Sequence, residues 1–343
     1  MLASTVPAPT PPLARPTRPR TIGIAVYGLG TVGSAAVTIL QTGAGELETQ
    51  HDLRLLVRHA VVRDPGKTRA VDVDPILMTT DWSRPLEDPT VDIVLELMGG
   101  LDPAGAIVRR AIKAGKHVIT ANKALIASEG AALEAMAEAH GVTLRYEASV
   151  GGAIPLIHTL RGTLVGNRIT RVMGILNGTT NFILTRMGDD GVSFAAALAD
   201  AQARGFAESD PSSDVSGLDA AQKLVILARH AFGRWVPVEC VARSGIADLT
   251  PGDVLEARQN GEVIKLVAEA VLGDDSMRLS VAPRRLPANH ALAHVRDEYN
   301  AVQIEGDFAG SLTFIGRGAG GHPTGSAVYD DLVATARAGR RRA

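Results

Sequence analysis

The stretch TIGIAVYGLGTVG, residues 21–33, most constrains what this chain can fold into. Its apolar first part, TIGIAVYG (21–28), reads as a short buried strand, and helical period follows from Thr31 to about Thr42. The joint between them is Gly28-Leu29-Gly30-Thr31-Val32-Gly33, a GxGxxG. The first glycine permits a tight turn, and the second lets backbone amides approach a pyrophosphate. The third lets the helix pack close to the strand. The positive end of the helix then faces the phosphates. The flanking strand and helix, rather than the glycines alone, make this a dinucleotide-binding turn.

Strand-like and helical runs continue to alternate. LRLLVRHAVV (53–62) and VDIVLELMG (91–99) read as strands, and PAGAIVRRAIKAG (103–115) as a helix leading into HVITAN (117–122). A helix over 124–141 precedes a strand over 142–150. Such alternation implies a parallel sheet wrapped by helices on both faces. After GGAIP (151–155) helices are expected over 180–187, 193–204, 217–233 and 253–271, with mostly strand over 276–316. The expected class is α/β: a Rossmann-type doubly wound parallel sheet over 21–150 and a second α+β catalytic and dimerisation unit over 151–315. The segment 316–343 then returns to the first unit.

Residues 1–20 are Pro-rich, carry basic residues and no acid, and lack the apolar run of roughly 7–15 residues that a signal peptide needs. They read as a disordered tail, and the C-terminal AGRRRA as a solvated end. No stretch approaches the roughly 20 apolar residues of a membrane span. A formal net charge of −2 gives no global field to draw the chain to nucleic acid or membrane, and 3% aromatics give no base-stacking surface. The single cysteine, Cys240, excludes an internal disulfide and suits a reducing compartment.

Beyond the second strand the sequence reads VVRDPGKTR (61–69). An acid here holds the ribose 2′-hydroxyl of NAD, whereas Arg63 and Lys67, with Arg69 behind them, would neutralise the 2′-phosphate of NADP. Asp64 would repel that phosphate if it faced the same way. The balance favours NADP and leaves NAD open.

In GLDAAQKLVILARHAFG (217–233), Asp219 and Lys223 are i and i+4 on one helix face. A solvated pair of this kind contributes about 0.3–0.5 kcal/mol. Ile226 shares the stripe, however, and the helix is apolar elsewhere. A carboxylate and an ammonium at a cleft wall suit a zwitterionic substrate, and such a lysine can exchange a proton with a carbonyl oxygen. Lys123 follows a strand of the parallel sheet, at the carboxyl end where ligands bind in such sheets. A solvated helix-start lysine is the alternative.

Taken together these segments resemble homoserine dehydrogenase. ALADAQARGFAESDPSSDVSGLDAAQK (197–223) matches that family's signature, and GILNGTTNFIL (174–184), TANKAL (120–125), YEASVGGAIP (146–155) and GRGAGGHPTGSAVYDDL (316–332) resemble family segments in the same order. The resemblance runs from about residue 21 to 335. It implies reversible NAD(P)-dependent interconversion of L-homoserine and L-aspartate 4-semialdehyde, in the aspartate pathway to threonine, methionine and isoleucine. By position Lys223 matches the family's proton donor and acceptor, and Lys123 the second active-site lysine, which contacts substrate and nicotinamide. Glu208 and Asp219 match the substrate-binding carboxylates, and Asp214 a supporting acid. Glu147 with the carbonyls of Val150, Gly152 and Ile154 matches a monovalent cation site for sodium or potassium, for which a carboxylate beside a Gly-rich turn supplies hard oxygens. Leu29, Thr31, Val32, Met98 and the Gly318–Gly320 turn are implied cofactor contacts. A homodimer and a cytoplasmic location are likewise implied. The match ends about where the catalytic portion of longer relatives ends, so a monofunctional enzyme without a C-terminal ACT-type domain is the expectation.

Two rival readings exist on the residues. An acylating aldehyde dehydrogenase would need a nucleophilic cysteine beside a base, and Cys240 lies in no such setting. A non-catalytic NADP-binding sensor would not need both lysines and both carboxylates.

Overall fold

The computed structural model describes residues 19–273 and 276–338. The Pro-rich tail lies outside the described residues but for its last two, as does nearly all of AGRRRA. Six short strands form the first sheet: β1 (Arg20–Tyr27), β2 (Leu53–Val61), β3 (Met78–Thr79), β4 (Ile93–Glu96), β5 (His117–Thr120) and β6 (Leu144–Arg145). All are parallel, in the order β3-β2-β1-β4-β5-β6. The last six residues of β1 are all buried, as expected of a strand covered on both faces. On one face the helices Thr31–His51 and Gly321–Ala338 cover Ile22, Ile24, Ile93 and Ile119. On the other, Ala104–Lys113 and Lys123–Ala139 cover Ala25, Tyr27, Val94 and Val118. The strand order reverses between β1 and β4, which opens a ligand crevice beyond their carboxyl ends.

The second sheet is built from β7 (Ile169–Ile175), β8 (Ala242–Arg243), β9 (Glu262–Leu272), β10 (Met277–Pro287), β11 (Tyr299–Gly306) and β12 (Gly310–Arg317). The order is β12-β11-β7-β9-β10-β8, antiparallel except where β8 runs parallel to β10. Val172, Leu266, Ala268 and Val302 of one face pack with the helices Gly178–Asp190 and Leu218–Phe232. The same core continues through Leu218–Phe232 into Lys123–Ala139 of the first unit. Leu224, Val225, Ile226 and Leu227 are fully buried in it, each contributing roughly 1.5–3 kcal/mol. The helix that carries Asp219 and Lys223 is thus an internal one joining the two sheets.

Two expectations are corrected. The run 253–271 is not one helix: it divides into a helix, Pro251–Gln259, and strand β9. Gly261 takes φ 71°, a left-handed stop, and Ile264, Leu266, Ala268 and Ala270 then alternate with period two into the core. Likewise 142–150 is strand only at β6. Glu147–Ser149 is a 3₁₀ turn, because the Glu147 N–H is drawn to the Asp331 carboxylate at 2.8 Å.

Candidate active site

The glycine turn shows what each glycine is for. Gly28 has φ 97°, and a Cβ there would lie 2.8 Å from the Leu97 carbonyl oxygen. A Cβ at Gly33 would lie 1.9 Å from the Gly28 carbonyl oxygen, so only glycine lets the helix close on the strand. Gly30 is different: nothing lies within 4 Å of where its Cβ would be. It caps the helix Thr31–His51 without any side-chain hydrogen bond, so the first amides stay free for a phosphate. Leu29 is buried, Thr31 is exposed and Val32 packs half-buried on the sheet core. The Gly318–Gly320 turn opens the helix Gly321–Ala338, and a Cβ at Gly321 would lie 3.1 Å from the Thr31 carbonyl oxygen. Two helix N-termini therefore lie side by side next to the glycine turn. Met98, 36% exposed, stands across from Gly28.

At the end of β2, Arg63 and Lys67 are exposed, and their side chains have no hydrogen-bond or ion-pair partner among the described residues. Asp64 turns its side chain inward to accept the Gly66 N–H at 2.8 Å. Arg69 is spent on the loop itself, donating to the carbonyls of Asp64 at 2.5 Å and Lys67 at 2.6 Å.

The lysines converge on one carboxylate. Asp219 lies in the first turn of Leu218–Phe232, where the helix dipole favours an acid, and is 5% exposed. Lys223 donates to Asp219 Oδ2 at 2.7 Å and to the Leu176 carbonyl at 2.7 Å. Lys123, from the other unit, places Nζ 3.2 Å from Asp219 Oδ1. Lys223 is 8% exposed, whereas the Lys123 side chain is 37% exposed, so Lys123 is the member that reaches solvent. Burial works to raise the Asp219 carboxyl, but the ammonium groups of Lys223 and Lys123 hold it down at about 2. Burial and the neighbouring Asp219 push the Asp214 carboxyl up, against the pull of Asn177.

Asn177 was missed by sequence reasoning as a site residue. Its Nδ2 donates to Asp214 at 2.7 Å and Asp219 at 2.9 Å, and its Oδ1 caps the next helix through the Thr180 N–H at 2.8 Å. An Asn-Gly-Thr-Thr at a strand-to-helix junction is the N-cap signature that could have found it. Asp210 accepts the Ser212 N–H at 3.1 Å and is an ordinary turn cap. Glu208 is exposed, and its carboxylate has no partner among the described residues. It is not drawn into the lysine cluster.

Glu147 is 2% exposed and accepts the Ile157 N–H at 2.9 Å and the His158 N–H at 2.6 Å. Its burial raises the carboxyl, and His158 opposes the rise. Val150 and Ile154 are buried, and Gly152 has φ 57° and packs against the backbone of Arg317 and Gly318. Asn300 is 1% exposed beneath Gly318, with neither amide atom hydrogen-bonded within the described residues. Cys240 is exposed, and its thiol is hydrogen-bonded to no base among the described residues.

A glycine turn at the switch point of a doubly wound sheet, open to phosphate, faces a buried lysine–carboxylate cluster. That combination defines a nucleotide-dependent oxidoreductase. Residues 28–147 match the family model described as homoserine dehydrogenase, NAD binding domain, and residues 155–333 the model described as homoserine dehydrogenase. A homoserine dehydrogenase of Synechocystis sp. is 45% identical over 317 residues, covering 91% of this chain and 73% of the relative. The crystal structure of a homoserine dehydrogenase from Thiobacillus denitrificans superposes with TM-score 0.89 at 40% identity, covering 95% of this chain and 75% of that one. A hyperthermophilic archaeal homoserine dehydrogenase mutant in complex with NADPH gives TM-score 0.78 at 26% identity, covering 92% and 98%. The chain belongs to the homoserine dehydrogenase family, enzymes that interconvert L-homoserine and L-aspartate 4-semialdehyde with a nicotinamide cofactor.

Proposed function

We propose that Lys223 is the proton donor and acceptor of this reaction and that Asp219 and Lys123 hold the reacting groups around it. The carrying observation is the single buried carboxylate of Asp219 gripped by Lys223 at 2.7 Å and approached by Lys123 at 3.2 Å. When bound, the dihydronicotinamide supplies a hydride to the aldehyde carbon. Lys223 gives a proton to the aldehyde oxygen as it becomes an alkoxide, so hydride and proton together make the alcohol. One ammonium hydrogen of Lys223 is left over from Asp219 and the Leu176 carbonyl for that transfer. Lys123 stabilises the developing negative charge. Asp219 and Glu208 take the substrate's ammonium and hydroxyl groups, and Asp214 supports the cluster through Asn177. Glu208 meets the substrate from the rim, which its free, exposed carboxylate allows.

The residues of the glycine turn fit a dinucleotide, since Gly30 leaves its amides open and Gly28 and Gly33 leave no room for a side chain. Gly28, Leu29, Gly30, Thr31, Val32, Gly33, Met98, Gly318 and Gly320 hold it, with Lys123 at the nicotinamide end. NADP is the favoured cofactor over NAD: Arg63 and Lys67 are unpaired while Asp64 is turned into its own loop. The archaeal relative in complex with NADPH supports the same reading. Sodium or potassium would be held by Glu147 and the carbonyls of Val150, Gly152 and Ile154, where it would stiffen the junction between the two units. The Glu147 carboxylate retains lone pairs beyond those given to Ile157 and His158. The chain acts as a cytoplasmic homodimer in the route from aspartate to threonine, methionine and isoleucine. The edge strand β12, where Ile315 is 57% exposed, offers the dimer surface. No helix among the described residues is long and apolar enough to cross a membrane.

Steady-state kinetics with L-aspartate 4-semialdehyde and each cofactor, in sodium and in potassium buffers, tests this reading. The expected outcome is turnover with a higher kcat/KM for NADPH than for NADH. Cofactor binding without turnover would mark a sensor. Loss of activity on blocking Cys240 would mark an acylating dehydrogenase.

A further inference from the structure

Glu96 is the last residue of β4, an otherwise apolar strand, and is fully buried. It has no ion-pair partner among the described residues, although a carboxylate in a core is costly unless its oxygens are matched. Here they are matched entirely by donors. Oε1 accepts the N–H groups of Met98 at 3.0 Å and Gly99 at 3.3 Å. Oε2 accepts the Thr120 hydroxyl at 2.6 Å. The Thr120 oxygen in turn accepts the Asn122 N–H at 2.9 Å, and Asn122 Nδ2 donates to the Gly100 carbonyl at 2.6 Å. The hydrogen bonds thus close a ring across the ends of β4 and β5. One arc of the ring is the 98–100 turn beside Gly28. The other is Asn122, whose Oδ1 caps the helix beginning at Lys123 through the Leu125 N–H at 3.1 Å.

We propose that Glu96 is a positioning residue: its carboxylate locks the Met98–Gly100 wall of the cofactor crevice to Asn122 and so fixes where Lys123 stands against Asp219. This rests on the reading of Lys123 as the second active-site lysine. A carboxylate is required because an amide must point its N–H2 either at the Met98 and Gly99 N–H groups, which are themselves donors, or at the Thr120 hydroxyl. That hydroxyl already accepts from Asn122 and would lose the acceptor for its own hydrogen. Lys123 is half exposed and held by one contact to Asp219, so the ring below it sets its position. A displacement of about 1 Å at a reacting group can lower turnover by about 100-fold.

The test measures kcat with L-aspartate 4-semialdehyde, NADPH affinity by fluorescence and thermal unfolding. It compares Glu96→Gln, Lys123→Ala and the double variant. Glu96→Gln is expected to lower kcat about 10- to 100-fold, a larger loss than the weakening of NADPH binding that comes from loosening the Met98–Gly100 turn. In the Lys123→Ala background the same change should add less than about 2-fold, because residues that act through one another are not additive. If Glu96→Gln does not fold, Thr120→Val opens the ring at its hydroxyl and carries the same expectations, with Thr120→Ser restoring most of kcat. Normal kcat in Glu96→Gln, or losses that multiply in the double variant beside an impaired Lys123→Ala, would overturn the positioning role alone. An unimpaired Lys123→Ala would overturn the reading of Lys123 and the positioning role with it.

Discussion

The glycine turn after β1 and the cluster at the start of Leu218–Phe232 solve opposite problems in one crevice. The turn binds with backbone: its three glycines carry no side chain because a Cβ would collide, as at Gly28 and Gly33, or would crowd the open amides, as at Gly30. The cluster works with side chains: Asp219, Lys223, Asn177 and Asp214 are buried or half-buried and satisfied by one another. A backbone site therefore fails through steric exclusion and shows itself in cofactor affinity and folding. A side-chain site fails through lost charge and shows itself in turnover. The junction between the two units is where these modes meet, since Lys123 starts a helix of the first and touches Asp219 of the second.

The largest expected effect that would sharpen this contrast is at Asp219. Asp219→Asn leaves the buried Lys223 ammonium with the Leu176 carbonyl as its one full-strength partner, and breaking a buried pair in this way costs about 3–5 kcal/mol. Turnover should fall with stability. The folded carboxyl lies at about 2, below its ordinary 3.8. Its stabilisation is therefore complete above pH 4 and is lost as pH falls toward 2. Denaturant titrations at stepped pH should show Asp219→Asn losing less stability than the parent over that window, since other carboxyls held low, such as Asp88, titrate in both. Equal acid slopes would contradict the pairing.

Gly33→Ala comes next. Its Cβ would sit 1.9 Å from the Gly28 carbonyl oxygen, so the helix must move off the strand. NADPH affinity should weaken by about 10-fold or more, roughly the loss of one backbone hydrogen bond to a charged group. Calorimetric titration would show it, and unchanged affinity would break the backbone-site reading. The smallest effect belongs to the exposed cations. Arg63→Ala with Lys67→Ala should raise KM for NADPH about 10-fold and leave NADH nearly untouched, since an exposed charge on phosphate contributes roughly 1 kcal/mol. A parallel loss with both cofactors would show that these residues do not read the 2′-phosphate.

What the sequence made legible follows the same division. The glycine turn and the i, i+4 spacing of Asp219 and Lys223 are local, and local spacing maps directly onto local geometry. The meeting of Lys123 with Asp219 is not local, and only the family resemblance brought them together. Glu96 was hidden because a strand ending in a carboxylate reads as a strand end. Its only sign was a charge inside VDIVLELMGG, between buried apolar positions and two glycines. Helical period over 253–271 misled because Ala-rich apolar runs suit helix and strand alike, and Gly261 with β9 pairing decided it. Glu208 carried the family's pattern, yet the fold leaves its carboxylate unpaired at the surface.

Lys223 is the point on which the chemistry turns, and the decisive measurement compares turnover with cofactor affinity in Lys223→Ala. Removing one essential proton-transfer group should lower kcat by about 100-fold to 10,000-fold, while NADPH affinity stays within about 3-fold, because Lys223 lies in the side-chain site and not in the glycine turn. Near-normal turnover in Lys223→Ala would contradict its role as the proton donor.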